Sequence, residues 1–204
     1  MTKRKLEAVK SHFRKEDPII YQVMVKKGLR PLPDPEKPAK FFGKLCREII
    51  TQQLASKAAT AIRNRFADLF PNREIVPEGV LARNDQELRD VGMSWAKARY
   101  IKDLAQKTRD GEIVLEQLID LDDEAVVTEL VKVKGIGRWT AEMFLMFTLG
   151  REDVFSHGDL GLRKGLMQLY DFSEEPAEAE AEKIVKKWSP YKTYGSLALW
   201  SLFD

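Results

Sequence analysis

The chain has 204 residues, 44% apolar and 32% charged, an ordinary globular composition that argues against disorder and suits one domain or two packed lobes. Its formal net charge is only +2, so any grip on nucleic acid has to come from local placement of Lys and Arg, and its single cysteine, Cys46, excludes an intrachain disulfide or a four-cysteine metal site. The opening MTKRKLEAVKSHFRKED holds no apolar run of signal-peptide length, and no segment approaches the roughly 18 to 20 apolar residues of a membrane span, so a soluble, intracellular protein is expected.

In chain order, an N-terminal pair of helices is predicted before the break at Gly28 to Pro38 (GLRPLPDPEKP), whose prolines mark a linker. Residues 1–38 are therefore expected to be N-terminal helices and linker packing on the C-terminal lobe, with 39–204 as the body. Leu45, Ile49 and Ile50, then Ile62, Phe66 and Leu69, recur at three- and four-residue spacing, with Ser56 and Ser94 as N-caps of the helices after them. Further breaks fall at Pro71 to Pro77, Gly92, Gly111, Gly135, Gly150 to Gly158 and Ser173 to Pro176. No segment shows sustained strand alternation, so an all-α fold of on the order of ten short helices is predicted. The acidic run Glu174 to Glu182 reads as a solvated helix start, its carboxylates near the positive end.

Val131 to Leu169 carries most of the chemistry. Gly135, Ile136 and Gly137 form a hairpin opening a very apolar helix, and glycines there let backbone N–H groups approach a phosphate at a positive helix end. Lys132, Lys134 and Arg138 add nearby positive charge. The same glycines also suit a plain turn between packed helices. Asp159 precedes a second helix, where it either caps that helix or stabilises positive charge developing on a sugar, or does both.

The run KGIGRWTAEMF followed by DVFSHGDLGLRKG resembles the helix-hairpin-helix, Gly/Pro-rich loop and aspartate signature of the DNA glycosylase superfamily. IITQQLASKAATAIRNRF, VGMSWAKARYIKDLA and WSPYKTYGSLALW fall in the same order as in its 3-methyladenine DNA glycosylase II branch, so the resemblance spans roughly residues 40 to 203. It implies two packed helical lobes with the active-site cleft between them, in the compact form without an N-terminal β domain.

The resemblance also assigns roles. It implies Asp159 as the catalytic carboxylate and Trp139 and Trp200 as base-stacking residues, with Met143 one turn on as a pocket wall; each aromatic is equally at home in a core. Gly135, Gly137, Lys134 and Arg138 would hold the DNA backbone. Leu54 matches the intercalating wedge, with Gln53 beside it, although Leu54 also suits an ordinary helix end. The main-chain carbonyls of Val131, Val133 and Ile136 would hold a monovalent cation, Na+ or K+; no cofactor is otherwise required. Lysine-nucleophile members of the superfamily carry their lysine where this chain has Trp139, and an indole forms no Schiff base.

A monofunctional glycosylase acting on alkylated purines in duplex DNA by base flipping is therefore expected, because a cationic alkylated base departs neutral without an acid. A glycosylase/lyase on oxidised bases and a noncatalytic structure-specific DNA-binding module are the alternatives. The expected partner is duplex DNA containing alkylated bases, bound by a monomer without membrane association. The expected place is the cytoplasm, nucleoid-associated in a prokaryote, or the nucleus in a eukaryote. Lys192 and Thr193 stand where many members of the branch have Arg-Ser.

Overall fold

The structure, a computed structural model, describes residues 3–203 apart from the side chains of Lys3 and Ser56. Its described residues form twelve α-helices and five short 3-10 segments, with no strand. The helices are α1 (Lys3–Glu16), α2 (Pro18–Lys27), α3 (Phe41–Thr51), α4 (Ser56–Asp68), α5 (Pro77–Leu81) and α6 (Asp85–Asp90). They continue with α7 (Trp95–Arg109), α8 (Asp123–Leu130), α9 (Arg138–Phe147), α10 (Leu160–Leu169), α11 (Glu178–Val185) and α12 (Lys192–Trp200). None of the described helices is long and apolar enough to cross a membrane.

The chain divides into two compact units, Met1–Pro35 with Leu145–Asp204, and Glu36–Phe144. The division expected at 38/39 lies three residues from the one at 35/36, and the body expected over 39–204 divides again at 144/145, inside α9.

In the discontinuous unit α1 and α2 are hinged by Asp17, whose Oδ1 accepts from the Ile20 amide at 3.3 Å while Pro18 starts α2. Its Oδ2 accepts from the Tyr170 hydroxyl at 2.6 Å and the Trp188 indole at 2.8 Å. A buried carboxylate is tolerated because three donors replace its water. Around it Phe13, Ile20, Leu162, Trp188, Tyr194 and Leu199 form part of an apolar core. Leu32 pins the otherwise mostly exposed proline-rich stretch to the same core. α10 and α12 approach closely because Gly165 offers no side chain: a Cβ there would lie 3.0 Å from the Leu199 Cβ.

In the contiguous unit α3 buries Leu45, Ile49 and Ile50, the stripe its spacing predicts, and Cys46 beside them. Phe41 meets Phe144 edge-on with centroids 5.4 Å apart, worth about 1 kcal/mol beyond area burial. Helix starts are fixed locally. Asn84 and Glu87 form a reciprocal capping box on α6, and Asp122 accepts from the Ala125 amide at 2.8 Å. Ser94 caps α7, accepting from the Lys97 amide at 3.2 Å as predicted. At α4 the cap position is Ala55, with no side-chain bond; Ser56 is already helical and its side chain lies outside the description. In the discontinuous unit α11 begins with Glu178 and Glu180 in its first turn, the arrangement predicted for the acidic run.

Candidate functional site

The glycine hairpin lies in the contiguous unit, between α8 and α9. Two bonds tighten it: the Val133 amide donates to the Leu130 carbonyl and the Ile136 amide to the Val133 carbonyl, both at 3.1 Å. Gly135 sits at φ +84°, and a Cβ on it would fall within the Tyr100 ring, 2.6 Å from Cε2 and nearer still to Cγ and Cδ2. Gly135 is thus obligatory on two independent counts. Gly137 differs, because a Cβ there would meet nothing within 4 Å. The Lys134 amide is taken by Asp103 Oδ2 at 2.9 Å, whereas the amides of Gly135 and Gly137 have no acceptor among the described residues. They precede α9, where the helix dipole favours an anion.

Charges flank the turn. Arg138 makes a bidentate pair with Glu124, both bonds 2.8 Å, and Lys132 pairs with Glu129 at 2.6 Å. Lys134 is exposed and makes no ion pair among the described residues. Trp139, at the start of α9, is 40% exposed, while Met143 one turn on is buried and Phe144 lies in the core.

The turn after α3 contains the predicted wedge. Gln53 adopts φ +56° and the Leu54 amide closes the turn on the Thr51 carbonyl at 3.1 Å. Leu54 is 37% exposed, an uncommon presentation for leucine. Its neighbour Gln52 points inward: its amide nitrogen donates to the Gly135 carbonyl at 2.9 Å and the Thr140 hydroxyl at 3.2 Å. The wedge turn and the hairpin are therefore bonded directly, a link that neither local sequence pattern reveals.

In the discontinuous unit Asp159 is buried at the cap of α10. Its Oδ1 accepts from the Leu162 amide at 2.8 Å and from the Trp200 indole at 3.0 Å. Gly161 permits this pairing, since a Cβ there would crowd both Trp200 Cδ1 at 3.0 Å and Asp159 Oδ1 at 3.1 Å. Trp200 also leans on Phe147, centroids 5.9 Å apart. The helix cap is thus real, and it holds the carboxylate in one orientation. His157 pairs with Glu182 at 3.1 Å, and Lys192 reaches the same glutamate at 3.6 Å. Asp153 accepts from the Ser189 hydroxyl and the Lys192 amide. Thr193 is buried, donating from its hydroxyl to the Arg151 carbonyl at 2.8 Å and accepting from the Val154 amide at 3.1 Å, so it ties the loop before Asp159 to α12.

Among the described residues no three His, Cys, Asp or Glu side chains gather as a metal site, so a cation at the hairpin would depend on main-chain oxygens. The parts therefore comprise a fixed buried carboxylate paired with an indole, an amide-lined helix start, and an exposed hydrophobe on a braced turn.

Comparison with known proteins finds relatives that are named as DNA glycosylases. Schizosaccharomyces pombe DNA-3-methyladenine glycosylase 1 is 35% identical over 161 residues, 78% of this chain and 71% of that relative. The S. pombe 3-methyladenine DNA glycosylase Mag1, solved in complex with abasic DNA, superposes with a TM-score of 0.81 at 32% identity, covering 95% of each chain. A Bacillus subtilis relative, YfjP, is 34% identical over 158 residues, of whose own length the chain spans 55%. Residues 46–190 match the family described as HhH-GPD superfamily base excision DNA repair protein, and the chain belongs to that superfamily.

Proposed function

We propose that the protein is a monofunctional DNA glycosylase that hydrolyses the N-glycosidic bond of alkylated purines, of the 3-methyladenine and 7-methylguanine type, in duplex DNA. The observation that carries this reading is Asp159, a buried carboxylate whose Oδ1 is held by the Leu162 amide and the Trp200 indole. Such a group is preorganised to stabilise the positive charge that builds on the sugar as the base leaves, without reorganisation during the step. An alkylated purine already carries a positive charge and leaves as a neutral base, so a site with a carboxylate and no paired acid suffices. Trp139, exposed at the start of α9, and Trp200, bonded to Asp159, are each proposed as a π face for a cationic base.

The amides of Gly135 and Gly137, together with Lys134 and Arg138, take the DNA backbone, and Leu54 with Gln53 fills the gap left by the flipped nucleotide. The carbonyls of Val131, Val133 and Ile136 would hold a Na+ or K+ ion, which when bound supplies further positive charge beside that phosphate. The Val133 carbonyl already accepts from the Ile136 amide and has one lone pair left for the ion. The protein is proposed to act as a monomer. Trp139 stands where a Schiff-base lysine would, which favours an intact abasic product over strand cleavage.

The test is release of free bases from methylated duplex DNA by wild type and by Asp159→Asn, with and without alkali. The expected result is release of methylated purines that falls about a hundredfold or more in the variant, with strand breaks only after alkali. Strand breaks without alkali, or a covalent complex trapped by borohydride, would establish a lyase instead. Binding without release would leave a noncatalytic DNA-binding module.

A further inference from the structure

The last carbonyls of α3 have no intrahelical donor, and two acceptors at this end are met by a residue from another helix. Lys97 of α7 places its Nζ 2.8 Å from the Ile50 carbonyl and 2.6 Å from the Gln52 carbonyl. The side chain is half-buried and makes no ion pair among the described residues, so its charge is directed at main-chain oxygens alone. A cation at the negative end of a helix is favourable, and the partial burial that draws the Lys97 pKa below its ordinary value shows that water only partly solvates it.

The Gln52 carbonyl belongs to the peptide plane that leads into Gln53, the residue at φ +56°. A non-glycine residue in that region costs about 1 to 2 kcal/mol and persists only where neighbouring bonds over-determine it. Lys97 supplies such bonds on the side facing α7, and the Gln52 side chain, bonded to the Gly135 carbonyl and the Thr140 hydroxyl, supplies them on the side facing the hairpin. The same stripe of α7 also supports the hairpin. Tyr100, one turn past Lys97, lies under Gly135, and Asp103, a further turn on, accepts from the Lys134 amide.

We propose that Lys97 is a positioning residue for the wedge turn, and that α7 sets the spacing between wedge and hairpin so that both meet DNA as one preset unit. This rests on the glycosylase reading of those two loops. Lys97 touches neither loop's exposed face; it acts through the backbone of residues 50 and 52.

The experiment measures affinity for a duplex carrying a tetrahydrofuran abasic analogue, with Lys97→Met, Lys97→Arg, Leu54→Ala and the Lys97→Met/Leu54→Ala pair. Lys97→Met and Leu54→Ala are each expected to weaken binding about tenfold, and the pair no more than Leu54→Ala alone, because a lysine that works through the wedge has nothing to position once the wedge is gone. Lys97→Arg restores most of the loss. In the DNA-free protein, amide exchange at Leu54 quickens about tenfold in Lys97→Met, a readout independent of any substrate. Losses that multiply in the pair, or unchanged exchange at Leu54, overturn the proposal. Wild-type binding that Lys97→Met leaves intact overturns the positioning role alone, whereas a wild type with no affinity for this duplex overturns the glycosylase reading and the wedge role with it.

Discussion

Gly135→Ala gives the sharpest test of why the hairpin has its shape. Two costs add at this position. The first is conformational: at φ +84° a Cβ faces the following carbonyl, a penalty of about 1 to 2 kcal/mol. The second is steric, since the new methyl would occupy the space of the Tyr100 ring, and forcing one extra carbon into a packed site costs about 1 to 3 kcal/mol. The hairpin cannot simply lift away, because the Gly135 carbonyl is bonded to Gln52 and the neighbouring Lys134 amide to Asp103. A loss of about 2 to 5 kcal/mol is expected, a large share of the roughly 5 to 15 kcal/mol that stabilises a typical domain. Urea midpoints should be measured for Gly135→Ala in the wild-type background and in Tyr100→Ala. Removing the ring should spare the steric part and leave the conformational part, so the cost of the alanine should fall by about 1 to 3 kcal/mol. An identical cost in both backgrounds, or a wild-type cost below about 1 kcal/mol, would refute the argument.

Burial pushes the Glu48 carboxyl above the usual carboxylate range, with Arg63 and Lys44 only partly offsetting it. Its ionisation therefore weighs against the folded state at neutral pH and stops doing so as pH falls below the ordinary glutamate value. Glu48→Gln should raise the denaturation midpoint near neutrality and lose that advantage by about pH 4; a constant difference across that range would exclude the cause given. Asp17→Ala strands the Tyr170 hydroxyl, the Trp188 indole and the Ile20 amide together, at an expected cost of about 3 kcal/mol or more, and Asp17→Asn, which keeps an acceptor, should cost less. Equal denaturation midpoints for the two variants would count against this. Glu124 and Arg138 are both mostly exposed, so Glu124→Gln should change stability by under about 1 kcal/mol. With the Glu124 charge gone and only the longer Glu142 contact at 3.7 Å left, Arg138 should tighten duplex binding and steepen the logarithmic salt dependence by about one; unchanged affinity would remove Arg138 from the DNA contacts.

Features that depend on neighbours in sequence were legible in advance. Ser94 before α7 and Asp159 before α10 are caps because a short oxygen-bearing side chain precedes an apolar helix, and both bonds form. The Gly-Ile-Gly spacing predicts the hairpin, but which glycine is sterically obliged depends on Tyr100, a helix away. Likewise the indole bond to Asp159 closes across 41 residues and leaves no local trace. Ala55 takes the cap position expected of Ser56: α4 begins one residue earlier than the serine's N-cap preference predicts, and a boundary shift of one residue is beyond what that preference resolves. The prolines before Glu36 announce one crossing between units, whereas the crossing at 144/145 falls in the uninterrupted apolar stretch of α9, which offers no change of composition to read. Lys97 and Gln52 carry no signal as a lysine and a glutamine; only the carbonyls they reach give them meaning.

The discontinuous unit has a consequence for biosynthesis. Phe13 and Ile20 leave the ribosome early, but their core partners Leu162, Trp188 and Leu199 follow only after the whole of Glu36–Phe144 has been made. At about 5 to 20 residues per second, that is a delay of several seconds or more, during which the contiguous unit can condense on its own while the apolar faces of α1 and α2 wait unpaired. The nascent chain is thus exposed to chaperones and proteases at α1 and α2, and a chain stalled once Phe144 has cleared the ribosome, with Trp188 and Leu199 still to come, would display a folded contiguous unit beside an unpaired α1 and α2.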